Sequence, residues 1–151
     1  MEKEELLNIV TDGEKFDGAF NIRVNGELEK RNSTQNVEIN SKIDNSGIDI
    51  IVKDNTEGER IAIPVIITKG DVEDKVYNDF YIGKNCDILI VAGCGIDNCS
   101  NCQSSHSGIH TFYIGENSKV KYIENHYGHG EGTGKKVFNP ETVIYLENGA
   151  Q

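Results

Sequence analysis

The sequence predicts an all-β fold, a β-solenoid entered through one short N-terminal helix. Three observations predict it. Apolar residues fall at every second position over several stretches, with Ile61, Ile63, Val65 and Ile67 as the longest run. A period of two marks a strand with one buried face. A whole unit also recurs. Phe80-Tyr81-Ile82-Gly83-Lys84-Asn85-Cys86 matches Phe112-Tyr113-Ile114-Gly115-Glu116-Asn117-Ser118, and Tyr145-Leu146-Glu147-Asn148-Gly149-Ala150 matches again, each time at an offset of 32 residues. Strand-turn-strand units at a fixed period mark a stack, because each copy buries its apolar face only against its neighbours. The third observation is that a helical pattern is confined to the N-terminal segment.

That segment comes first. Glu2 to Val10 predicts a helix with Leu6, Leu7 and Val10 on one side, stopped by Thr11-Asp12-Gly13. Asn25-Gly26 is a hairpin turn signal. Ile48, Ile50 and Val52 alternate with Asp49, Ile51 and Lys53, which predicts a strand, and residues 54–58 form a loop. Pro64 lies inside the Ile61–Ile67 run. Proline lacks an N–H, so this strand is expected at a sheet edge or with a bulge. The repeats then add second strands at Asp87–Val91 and Lys119–Glu124. Cys86 holds the place of Ser118 and Ala150 and reads as a small core residue. The chain reads as one domain, with residues 1–58 as a lead-in and 59–151 bearing the repeats. The last copy stops at Gln151, before its second strand. An open strand edge pairs readily, so the expectation is either a fragment of a longer chain or an edge covered by a partner, with self-association.

Composition narrows the function. The net charge of −10 over 151 residues argues against binding nucleic acid or anionic membranes, which calls for Lys/Arg patches. No apolar run reaches 18 residues, and Met1-Glu2-Lys3-Glu4-Glu5 is no secretory signal. The expected location is the cytoplasm. There, clustered cysteines read as metal or redox chemistry rather than as structural disulfides.

The cysteines cluster between Cys94 and Cys102. Cys99-Ser100-Asn101-Cys102 is a C-x-x-C pair, Cys94 lies upstream, and His106 and His110 follow. Two thiolates at that spacing can converge on one ion. Gly93, Gly95, Asn98 and Ser100 would supply the loose backbone of a knuckle. Soft thiolates favour zinc, copper(I) or iron–sulfur units. The candidate metal ligands are therefore Cys94, Cys99, Cys102, His106 and His110, with Glu124, His126 and His129 as further candidates at the end of the following strand. Free thiols without a role are the plain alternative for the cysteines, and a polar surface loop is the alternative for the last three. A thioredoxin-like reading fails for want of a βαβ context. The glycine-rich stretch fails the phosphate-loop pattern, since His129 stands where a glycine is required and Lys136 where Ser or Thr is required. No catalytic set is legible, so an enzyme is not expected.

Four segments resemble the SufB/SufD family: Gly93-Cys94-Gly95, His106-Ser107-Gly108-Ile109-His110-Thr111-Phe112-Tyr113-Ile114-Gly115, Val120-Lys121-Tyr122-Ile123-Glu124-Asn125-His126-Tyr127-Gly128, and Asn139-Pro140-Glu141-Thr142. The similarity is to the short stand-alone members and covers roughly residues 60–151. It implies a right-handed parallel β-helix and a scaffold or accessory role in cytosolic iron–sulfur cluster assembly. It also implies a SufC-like ATPase and a sulfur donor as partners. The cofactor expected is an iron–sulfur cluster. The competing expectation is a zinc-stapled solenoid that only mediates protein association. The family's principal cluster residues belong to a later part of the β-helix than this chain reaches, so none of those roles transfers to a residue here.

Overall fold

Alternating apolar residues need a second apolar face to cover them, and two parallel sheets stacked face to face provide it. The computed structural model describes residues 1–11, 13, 16–98, 101–131 and 133–151. Its elements are α1 (Lys3–Val10), β1 (Ala19–Val24), β2 (Glu27–Asn32), β3 (Val37–Ser41), β4 (Gly47–Val52), β5 (Glu57–Ile67), β6 (Glu73–Ile82), β7 (Asp87–Asp97), β8 (Ser104–Ile114), β9 (Lys119–His129), β10 (Lys136–Phe138) and β11 (Glu141–Leu146). One sheet has the order β2-β1-β5-β7-β9, and the other runs β10-β8-β6-β4-β3 with β11 also on β8. The chain passes from one sheet to the other and back, making a β-solenoid of about three turns. Each rung is a strand pair: β4 with β5, β6 with β7, β8 with β9.

The 32-residue repeat is the rung itself. Phe80 pairs with Phe112, Tyr81 with Tyr113, and Tyr113 with Tyr145, all in parallel register. Inside, Phe80 stacks on Phe112 with ring centroids 4.4 Å apart. Outside, Tyr81, Tyr113 and Tyr145 form a ladder at 5.1 and 5.2 Å. Asn55, Asn85 and Asn117 hold left-handed φ of 65°, 56° and 56° at successive corners. Each donates its backbone N–H to the next rung, to Lys84, Glu116 and Asn148. Thr56, Cys86 and Ser118 follow as a buried column, so Cys86 is the small core residue expected.

The first end of the solenoid is closed by antiparallel strands, β2 on β1 and β3 on β4. Asn25 and Gly26 turn the β1–β2 hairpin with φ of 50° and 84°. The lead-in is thus already part of the stack, since β1 and β4 pair in parallel with β5 and β6. At the other end Ile144 and Leu146, 56% and 57% exposed, face inward with no strand opposite. Gln151 begins to fill that place by bonding Ser118 and Val120.

Two expectations are corrected. Pro64 lies in a central strand, β5, between β1 and β7. The irregularity in its ladder with β7 falls between Glu57 and Glu59, away from the proline. The β1 ladder has no partners at Ile63 and Pro64, so the missing N–H meets a gap instead of a broken bond. Gly93 and Gly95 serve helix docking, not a loose knuckle. A Cβ at Gly93 would lie 2.5 Å from the Val10 carbonyl oxygen, and one at Gly95 would lie 2.7 Å from Leu6. These bare positions let α1 lie flat on the outer face, with Leu6, Val10 and Ile66 in a common cluster.

On the outer face of the other sheet Asp49 and Asp79 are direct neighbours, and Lys42 hydrogen-bonds both. Burial alone would lower the lysine pKa; the two carboxylates outweigh it and raise it. A raised lysine pKa contributes stability that is fully present below the unfolded value of about 10.4 and is lost as pH climbs through the higher folded value. Lys42→Ala is expected to cost about 1 kcal/mol at pH 7 by leaving like charges adjacent. Urea unfolding checks this, and an added Asp79→Asn should recover most of the loss.

Candidate metal-binding cleft

Strand parity decides which donors meet. On β8 the even-numbered residues Ser104, His106, Gly108, His110, Phe112 and Ile114 are buried, so both histidines point between the sheets. On β7 Ile88, Ile90, Ala92, Cys94 and Ile96 point inward. On β9 Glu124 and His126 share the inward parity, and His129 has the opposite one. Cys94, His106, Gly108, His110, Glu124 and His126 therefore line one cleft, with Asn78 and Pro140. Cys94 pairs in register with His126. These cleft donors are all strand residues.

The remaining candidates sit elsewhere. Cys102 is disulfide-bonded and does not line the cleft, and Cys99 lies outside the described residues. His129 holds Asp97 at 3.0 Å, and Asp97 also pairs with the Met1 amino group at 3.0 Å. Among the described residues, no three His, Cys, Asp or Glu side chains are gathered tightly enough to hold an ion. The donor chemistry of the cleft (thiol, imidazole and carboxylate) suits a transition metal, but a closed four-ligand set is not formed.

Behind both His106 and His110 stands an oxygen. His106 Nδ1 is 3.1 Å from Asp74 Oδ2, and Arg23 grips the same carboxylate through Nη2 at 2.8 Å and Nε at 3.0 Å. Burial would raise the Asp74 pKa. The hydrogen bonds from His106 and Arg23 outweigh burial and hold it at about 2. An ionised carboxylate only accepts, so Nδ1 of His106 donates. His110 Nδ1 is 2.7 Å from the Tyr122 hydroxyl. Burial and then the Glu124 carboxylate push the Tyr122 phenol up. Burial lowers the His110 pKa to about 4, so its ring is neutral at pH 7. The Cys94 thiol is pushed up by burial, and by Asp74 and Glu124. It stays protonated until something displaces the proton.

Asp74, Asn78, Arg23 and Tyr122 were not foreseen. The repeat contained a signal for two of them: carried upstream from Phe80, the same offset sets Asp74 beside His106 and Asn78 beside His110. Arg23 comes from a strand outside the repeat and left no such trace.

The fold and cleft define a two-sheet parallel β-solenoid with thiol, imidazole and carboxylate side chains in its interior. Comparison with protein families, characterised proteins and solved structures finds no match. Among the described residues, no helix is long and apolar enough to cross a membrane.

Proposed function

We propose that this chain is a scaffold or accessory protein of SufB/SufD-type iron–sulfur cluster assembly in the cytoplasm, working with a SufC-like ATPase and a sulfur donor. One observation carries the reading. Cys94, His106, His110, Glu124 and His126 face a single cleft from three strands. A solenoid interior is normally apolar, as it is at Phe80 and Phe112 here, and buried polar groups are kept at a cost. An open, incompletely liganded set fits transient handling of iron better than a permanent structural ion, which closes its coordination. The residue resemblance points the same way.

The test is reconstitution. The full chain, purified without oxygen, is incubated with ferrous iron and sulfide, and bound iron, sulfide and zinc are measured. The expected result is iron and sulfide uptake by the wild type that Cys94→Ser and the His106→Ala/His110→Ala double variant largely lose. One tightly held zinc per chain, with no cluster uptake, would establish the zinc-stapled interaction module instead.

A further inference from the structure

Inward along β8 the residues read His106, Gly108, His110. A Cβ at Gly108 would lie 2.9 Å from Nε2 of His110 and 3.3 Å from Nε2 of His106. The two ring nitrogens thus flank one small space, which glycine alone leaves open. Both rings are set by their far nitrogens. Asp74 Oδ2 accepts from Nδ1 of His106 at 3.1 Å, and the Tyr122 hydroxyl lies 2.7 Å from Nδ1 of His110. A neutral ring that donates from Nδ1 carries its lone pair on Nε2. Asn78 supports this independently. Its Oδ1 accepts from the Ile48 N–H, which turns its Nδ2 toward His110 Nε2 at 3.5 Å, a donor facing an acceptor and one that an arriving ion displaces. An oxygen behind Nδ1 is the arrangement that orients imidazole ligands and raises their basicity.

We propose that His106 and His110 form a preset two-imidazole seat for one divalent cation of the iron(II), cobalt or zinc class, with Gly108 as the gap that admits it. Imidazole selects such borderline ions over calcium or magnesium. Among the described residues no third protein donor closes on the seat as it stands, so water completes the coordination and the ion exchanges. The proposal deepens the cluster-assembly reading and rests on it for the cellular ion, iron(II). Asp74 and Tyr122 are positioning residues, since they act through the imidazoles.

The seat is tested with cobalt(II) chloride added to the full chain without oxygen, followed by visible absorption and calorimetry. One cobalt per chain is expected. His106→Ala, His110→Gln and Gly108→Ala should each weaken binding at least tenfold, with thermal unfolding confirming that each variant folds. Gly108→Ala is the sharpest of these, because it keeps every donor and only fills the gap. Nitrogen-15 spectra of the metal-free wild type give a second readout that needs no variant: both rings should be Nδ1–H tautomers. Nε2–H tautomers, absent cobalt binding, or unchanged affinity in the folded variants would overturn the seat. Cobalt binding that follows these variants, with no cluster uptake, would remove the assembly reading and leave the seat. Cobalt affinity indifferent to all three, with cluster uptake intact in the wild type, would remove the seat and leave the assembly reading.

Discussion

Arg23→Ala should destabilise the fold by about 3 kcal/mol or more at pH 7, the order expected when one partner of a buried ion pair is removed. Asp74 is 5% exposed, and Arg23 supplies a two-pronged grip on its carboxylate. Without the guanidinium the carboxylate keeps only His106, and the loss reflects a buried charge left under-compensated. The pH dependence has a definite sign. The folded pKa of Asp74 is depressed to about 2, against about 3.9 unfolded. Its stabilisation is therefore present above about 3.9 and is lost as pH falls toward 2. Removing Arg23 takes away part of that depression. The gap between wild type and variant should then narrow as the pH drops from 5 to 2. Urea unfolding at several pH values measures it, and a gap under 1 kcal/mol at pH 7, or one independent of pH, would count against the ion pair as described.

Phe80→Ala should be of similar size, about 3–5 kcal/mol, because the emptied volume lies in a core that cannot collapse around it. Phe80 is fully buried between rungs and stacked on Phe112. At about 2–4 °C per kcal/mol for a chain of this size, the midpoint should drop by roughly 10 °C. The outer ladder makes a built-in comparison. Tyr113 stacks with two neighbours but is 41% exposed. Tyr113→Ala should cost only about 1 kcal/mol, the range of an aromatic pair beyond its area. Equal losses at the two sites would mean that the stack is held by its outer ladder, contrary to the burial.

The rungs were legible because they repeat: Phe80 over Phe112 and Tyr81, Tyr113 and Tyr145 in line follow from the offset alone. Parity was equally available. It separates Glu124 and His126 from His129, and it turns Cys94 inward with Ile90 and Ala92. The spacing of Cys94, Cys99 and Cys102 suggested one knuckle, yet Cys94 belongs to a strand that carries it to the cleft. Spacing along the chain misleads where a strand intervenes, because a thiol cannot turn back within an extended run. Arg23 was illegible for a different reason: it reaches Asp74 from β1, across 51 residues, and nothing local marks such a partner. The role of Pro64 was misjudged because the rule about proline in strands concerns the N–H, and the β1 ladder tolerates missing pairs at Ile63 and Pro64 while its register holds on either side.

The nearly constant rung length has a kinetic consequence. Partners between rungs lie 30 residues apart from β4 to β6 and 32 apart from β6 to β8 and from β7 to β9. Every such ladder therefore closes a loop of nearly the same size, and closure entropy varies only slowly with loop length. Apart from β1, whose Ala19 pairs with Ile61, no rung is topologically more remote than another, so folding can spread by nearest-neighbour addition instead of waiting for one distant pairing. The short β1–β2 hairpin closes a far smaller loop and is the natural early piece. The slow step is the first docking of two full rungs, and Phe80 against Phe112 is the contact that rewards it.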